Sequence, residues 1–196
     1  MNKFLIGLTV VIGLILFSIL ALAGSYNGLV KGEEQVRQAW AQVENVYQRR
    51  LDLIPNLVET VKGYAAHEKG TFTQVTDARA KAAGSFSPEI LDDPSKFSQF
   101  QESQQALSGA LGRLLVTVEN YPQLKANQNF LSLQSQLEGT ENRITVERGR
   151  YNDAARVFNT RIRQFPSNIV ASLFSFRPKD YFKSDSQAQK APSVKF

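Results

Sequence analysis

The chain has 196 residues, a formal net charge of +5, no Cys and a single His, His67. Without Cys there are no disulfides, no thiol catalysis and no Cys-built zinc site, and one His leaves little material for metal hydrolysis or imidazole proton transfer, so no cofactor or metal is expected. Six Arg stand against three acidic residues between Glu141 and Arg163, but no nucleic-acid motif accompanies them, and the excess reads as a solvated or lipid-facing surface rather than a nucleic-acid partner.

Phe4 to Ala23 is a run of twenty residues without a charge. At about 1.5 Å per residue it spans about 30 Å, the hydrocarbon thickness of a bilayer, so lipid is its expected partner. Ala21-Leu22-Ala23 resembles a signal-peptidase site, but the run exceeds a signal h-region and reads as an uncleaved anchor. Lys3 on one side is balanced by Lys31 and Arg37 on the other. The export-like end then points to the amino terminus inside and the following domain outside, periplasmic on a bacterial inner membrane.

Beyond the anchor, residues 1–24, the chain divides into a helical domain over 25–166 and an aromatic, basic tail over 167–196. Leu29, Val36, Trp40, Val43, Tyr47 and Ile54 mark the buried stripe of a first helix, interrupted by Glu33 and Arg50. Gly24, Gly28 and Gly32 are its candidate bends. Asp52 as an N-cap and Pro55 in a first turn predict a tight reversal over Asp52–Asn56, with a kinked continuous helix as the alternative. A second stripe follows in Leu57, Val61, Tyr64, Val75, Ala78 and Ala82, with Glu68 and Thr71 as polar members. Gly and Pro between Gly84 and Ser95 mark a long loop.

The third helix carries Phe97, Phe100, Leu107, Leu111, Leu114 and Val118, broken by Gln104, and ends at Asn120-Tyr121-Pro122. The fourth runs from Phe130 through Leu133, Leu137, Ile144, Tyr151, Ala155, Phe158 and Ile162 to Phe165, interrupted by Glu141 and Arg148, and stops at Pro166. No segment alternates like a strand. The expected fold is all-α: one transmembrane helix followed by an antiparallel four-helix bundle of long helices, because single apolar stripes joined by short turns bury themselves by reversing.

Parity places Arg49, Asp52, Asn56, Tyr121, Lys125 and Asn127 at the far tip, a candidate partner surface because function favours loops on a rigid scaffold. Counting positions up the helices sets Arg50 opposite Glu141 and Glu68 near Arg148, a candidate buried polar layer. After Pro166, Ile169 to Phe176 is apolar but too short to span a bilayer. It either folds against the base of the bundle or lies in the headgroup region, where Phe174, Phe176, Arg177, Lys179, Tyr181 and Phe182 would meet lipid. No catalytic constellation is present: His67 and Glu68 are adjacent on a helix and point apart. Trp40, Tyr47, Tyr64 and Tyr151 read as core rather than as the lining of a ligand cavity.

Ala39-Trp40-Ala41-Gln42-Val43, Arg49 to Val58 through Leu53-Ile54-Pro55-Asn56, and Tyr121-Pro122-Gln123-Leu124-Lys125-Ala126-Asn127 resemble the LemA family of bacterial membrane-anchored proteins. Glu138 to Ile144, Arg150-Tyr151-Asn152, Phe158-Asn159 and Phe165-Pro166 extend the resemblance over nearly the whole chain. It departs at Ser172 and Ser175, where Gly is expected. The resemblance implies a single N-terminal span, a helical bundle, no established enzymatic activity and an association with envelope quality control, including membrane proteases. The function expected is therefore a membrane-anchored adaptor or scaffold of the cell envelope, binding other envelope proteins or itself as a homo-oligomer. The alternative is a lipid- or small-molecule-binding module that uses the bundle interior or the membrane-proximal tail.

Overall fold

The computed structural model describes residues 3–65 and 67–183. Six helices follow in order: α1 Lys3–Lys62, α2 Lys69–Gly84, α3 Pro94–Val118, α4 Pro122–Lys125, α5 Gln128–Arg163 and α6 Ser167–Leu173. No strand occurs among the described residues. Two compact units share the chain, one of Met1–Asn45 with Gly149–Lys179, the other of Val46–Arg148 with Asp180–Phe196.

In the first unit the start of α1 is long and apolar enough to cross a membrane. Its large side chains from Leu8 to Leu20, Phe17 and Ile19 among them, are exposed around the helix, the pattern of a segment suited to lipid neighbours. Burial begins at Leu29 and continues through Val36, Trp40 and Val43, with Tyr151, Ala155 and Phe158 of α5 as the other half of this core. Trp40 and Tyr151 meet edge to face at 5.6 Å. α1 is helical through Gly28 and Gly32. They let α5 approach: a Cβ on Gly32 would stand 3.1 Å from the Phe158 ring, and one on Gly28 would collide with the Arg161 guanidinium.

α6 closes this unit by burying Ser167, Val170 and Ala171. It ends in a Schellman turn, with the Phe176 amide donating to the Ala171 carbonyl at 3.0 Å and Ser175 in the left-handed conformation, φ 59°. That is the backbone a glycine adopts freely, so the departure from Gly at this position leaves the turn in place with a strained residue in it. Phe165, expected at the end of the buried stripe, is 80% exposed.

The second unit holds one apolar core, drawn from Leu51, Ile54, Leu57 and Val61 of α1, Phe72, Val75 and Ala82 of α2, Leu107, Leu111 and Leu114 of α3, and Phe130 and Leu137 of α5. Each of the larger of these side chains contributes about 1.5–3 kcal/mol by leaving water. That burial carries α1 straight through the reversal expected at Asp52–Asn56: residues 51–62 remain helical with Pro55 inside. A proline there leaves the Leu51 carbonyl without its intrahelical amide. Arg79 Nε of α2 donates to that carbonyl at 2.8 Å. α1 ends instead at Lys62 and α2 begins at Lys69, so Leu57 and Val61 belong to the first helix, and Tyr64, expected in the second stripe, is 42% exposed.

α3 starts where sequence chemistry allows it, with Pro94 in its first turn and Asp93 accepting from the Ser95 amide at 2.8 Å. The Ser95 hydroxyl, donating to the same oxygen at 2.7 Å, and then the Ser95 amide hold the Asp93 carboxyl below its ordinary range. α5 is capped likewise by Asn127, which accepts from the Phe130 amide at 3.0 Å.

Candidate functional site

Arg50 is the one charged side chain that the second unit buries completely, at 1% exposure among the described residues. It projects from the core face of α1, and oxygens of α3 and α5 meet its guanidinium there. Nη1 donates to Glu141 Oε1 at 2.9 Å and to Ser108 Oγ at 3.1 Å. Nη2 donates to the Gln104 side-chain oxygen and, at 3.4 Å, to the Gln104 carbonyl. The guanidinium carbon also lies 5.0 Å from the centre of the Tyr47 ring. Nε is buried without a hydrogen-bond partner.

Glu141 is 42% exposed at its side chain while Arg50 is 2% exposed. The pair therefore opens on one side into a half-enclosed cleft of about 340 Å³, where Tyr47, Gln104, Ser108 and Arg148 line the wall. Burial holds the Tyr47 phenol above its ordinary value, against the opposing pull of Arg148 and Arg50. With both Nη atoms engaged by the protein, the arrangement is suited to fixing the register of α1, α3 and α5. Gln104 was visible in the sequence only as a break in the α3 stripe, and that break is the signal for the role it plays.

Glu68 and Arg148 do not come together. Glu68 accepts from the Tyr121 hydroxyl at 3.3 Å. Arg148 donates to the Lys183 carbonyl at 2.7 Å and stacks on Phe182, 4.8 Å from the ring centre. Their expected pairing assumed a second helix beginning near Asn56, and the break at Gly63 shifts every position after it.

The expected tip is also rearranged. Arg49, Asp52 and Asn56 are exposed on continuous helix, with Asp52 bonded to Gln48 one turn earlier at 2.8 Å. The residues that meet Tyr121 and Asn127 come from the 63–68 break: Asn127 Nδ2 donates to the Tyr64 hydroxyl at 2.9 Å, beside the Tyr121–Glu68 bond. Partial burial, and then Glu68, raise the Tyr121 phenol above its ordinary value. Lys125 is exposed beside them and borders a shallow depression of about 200 Å³ that includes Leu115, Val116, Glu119 and Phe130. Val116 is 65% exposed there. Sequence reasoning passed over Val116 because it lies off the buried stripe, and an apolar residue on the wet face of a helix is the signal that was available.

The expected lipid-facing tail divides. Phe174, Arg177 and Tyr181 are exposed and Phe176 is half-buried. Lys179 and Phe182 are buried at 3% and 5% exposure, so neither is a membrane contact. Lys179 Nζ lies 2.9 Å from Glu33 of α1, and Asn159 brackets the Lys179 backbone by accepting from its amide and donating to its carbonyl, both at 2.8 Å. Phe182 packs on Phe97 at 5.1 Å. His67 is exposed, and among the described residues no three His, Cys, Asp or Glu side chains are grouped to hold a metal ion.

The family model described as "LemA family" matches residues 39–196. Among curated relatives, Magnetosome protein MamQ 2 of Paramagnetospirillum magneticum is 28% identical over 175 residues, 81% of this chain and 64% of its own length. Magnetosome protein MamQ of Magnetospirillum gryphiswaldense is 27% identical over 189 residues, 88% of this chain and 69% of its own. Protein LemA of Metamycoplasma hominis is 26% identical over 148 residues, 76% of this chain and 64% of its own. The chain thus spans a little under two thirds of the length of the first and last of these relatives.

Proposed function

The chain belongs to the LemA family, and from that premise we propose that it is a membrane-anchored, non-enzymatic adaptor of the bacterial cell envelope that binds other envelope proteins or a second copy of itself. The observation that carries this reading is the depression beside Lys125. It is lined by the apolar side chains of Leu115, Val116 and Phe130 and the charged ones of Glu119 and Lys125, the mixture of residue types a protein-binding patch combines. Tyr121 and Asn127 lock the adjoining loop through Glu68 and Tyr64, so a partner would meet a surface already ordered and lose little entropy in seating on it. The apolar start of α1 supplies the anchor, with the inner membrane as its bilayer and the domain on the periplasmic side.

Photocrosslinking in intact cells tests the reading. A photoreactive residue at position 116 is expected to give discrete adducts with an envelope protein, a membrane protease among the candidates, or with a second copy. A Lys125→Glu change should deplete them. The same residue at Val146, which is 52% exposed on α5, is the control, and equal adducts from both positions would refute the proposed surface. Orientation is read on the Cys-free chain carrying Val116→Cys. A membrane-impermeant maleimide should label it on intact spheroplasts, and labelling only after permeabilisation would place the domain in the cytoplasm.

A further inference from the structure

α6 is covered on one side and bare on the other. Ser167, Val170 and Ala171 face inward, while Ile169 and Leu173, four residues apart on the opposite side, are 52% and 75% exposed. Phe165, just before α6, and Phe174, just after it, are also bare, 80% and 56% exposed. Four large apolar side chains left bare within ten residues form a patch of the kind that soluble surfaces avoid unless something covers it.

What covers it follows from where α6 is fastened. The Phe174 ring packs against Tyr26 of α1 at 4.8 Å between centres, and Phe176 reaches the same ring at 5.9 Å. Tyr26 lies three residues beyond Ala23, about 4.5 Å along the helix from the end of the uncharged membrane-spanning run. α6 is therefore tied to α1 at the level where hydrocarbon gives way to headgroups, the depth at which Tyr rings are enriched. Cations are brought to the same level. The Arg161 guanidinium lies across Gly28, half a turn past Tyr26, and Arg163 and Arg177, both exposed, flank the apolar segment in sequence.

We propose that the bare face of α6 is a second membrane contact: Phe165, Ile169, Leu173 and Phe174 enter the interfacial region of the bilayer that α1 crosses, and Arg161, Arg163 and Arg177 meet the phosphates of anionic lipid. The apolar stretch is too short to span a bilayer and long enough to lie in its surface. With α1 inserted and α6 seated beside it, the first unit is held at two points, which restrains its rotation about the anchor. The contact is independent of the adaptor surface, since it uses none of the residues around Val116.

The absence of Cys makes the full-length chain directly testable. A Leu173→Cys variant carrying an environment-sensitive fluorophore is reconstituted into phosphatidylcholine vesicles with and without phosphatidylglycerol, and Val146→Cys is the comparison. The expected result is several-fold stronger quenching of the 173 label by lipids bearing a nitroxide high on the acyl chain, together with weaker quenching by aqueous iodide. Omitting phosphatidylglycerol, or replacing Arg161, Arg163 and Arg177 by Gln, should reduce the lipid quenching. Equal iodide quenching at 173 and 146 with no lipid quenching would overturn the proposal. So would protection of 173 from both quenchers with ready disulfide formation between copies, because a second chain would then be the cover. Lipid quenching that ignores both phosphatidylglycerol and the three Arg would overturn the anionic-lipid part.

Discussion

Removing Glu141 tests whether Arg50 is held as a buried ion or as a side chain that water already serves. Breaking a fully buried pair costs about 3–5 kcal/mol, and breaking an exposed one costs ~0–1 kcal/mol. This pair lies between the limits: Arg50 is 2% exposed at its side chain, Glu141 42%. In Glu141→Ala the guanidinium keeps Gln104 and Ser108, and water can enter along the cleft, so the expected loss is about 2 kcal/mol. For a domain of this size that is a fall in Tm of about 4–8 °C. Arg50→Met alone should also destabilise, by about 1–3 kcal/mol, because it leaves the Gln104 side-chain oxygen buried and unpaired. Arg50→Met with Gln104→Leu removes charge and amide together and returns Glu141 to water, so its stability should recover to wild type or above. Far-UV circular dichroism on the full-length protein in detergent reads all three. A Glu141→Ala protein that melts with wild type would refute the burial argument, and a double variant no better than Arg50→Met would refute the assignment of Gln104.

The other buried cation should respond more strongly: Glu33 is only 22% exposed against 2% for Lys179, so Glu33→Ala is expected to cost about 3 kcal/mol, near the lower bound for a buried pair, and a Tm loss smaller than that of Glu141→Ala would contradict the ranking. Arg79→Ala should cost about 1–2 kcal/mol by orphaning the Leu51 carbonyl, and should cost clearly less in a Pro55→Ala background, where an intrahelical amide takes over. A double-mutant cycle without coupling would disprove that link. Gly32→Val should destabilise by about 1–3 kcal/mol through collision with Phe158, whereas Gly28→Ala, which meets only the far end of the flexible Arg161 side chain, should unfold within about 0.5 kcal/mol of wild type. Ser175→Gly should be neutral to stabilising by ~1 kcal/mol, since it relieves a left-handed residue, and a marked loss of stability would show that the serine side chain is needed there.

The anchor was legible because one property, hydropathy over twenty residues, decides it. The helices of the domain were legible for a similar reason, as each carries a periodic stripe. Boundaries were harder because they depend on contacts made elsewhere in the chain. Pro55 reads as a helix start when the local rule is applied alone, and only Arg79, in another helix, reveals how α1 runs past it. That single displacement undid the placement of Asp52, Asn56, Tyr64 and the Glu68–Arg148 pairing, while Arg50 precedes both the expected and the observed end of α1 and Glu141 lies on α5, so their pairing is unaffected. Gly28 and Gly32 were read as candidate bends, and their closeness to Arg161 and Phe158 of α5 could be seen only with the partner helix in view. Lys179 and Phe182 carry the same difficulty in its strongest form, because an aromatic and basic tail has the composition of a membrane surface whether or not it is buried. Composition gives each side chain's cost of leaving water, and the partner decides whether that cost is met: Glu33 meets it for Lys179 and the Phe97 ring receives Phe182. Phe165, Ile169, Leu173 and Phe174 stay 52–80% exposed, Phe174 even with Tyr26 packed against its ring, which is why these four, rather than the more basic end of the tail, carry the argument for lipid.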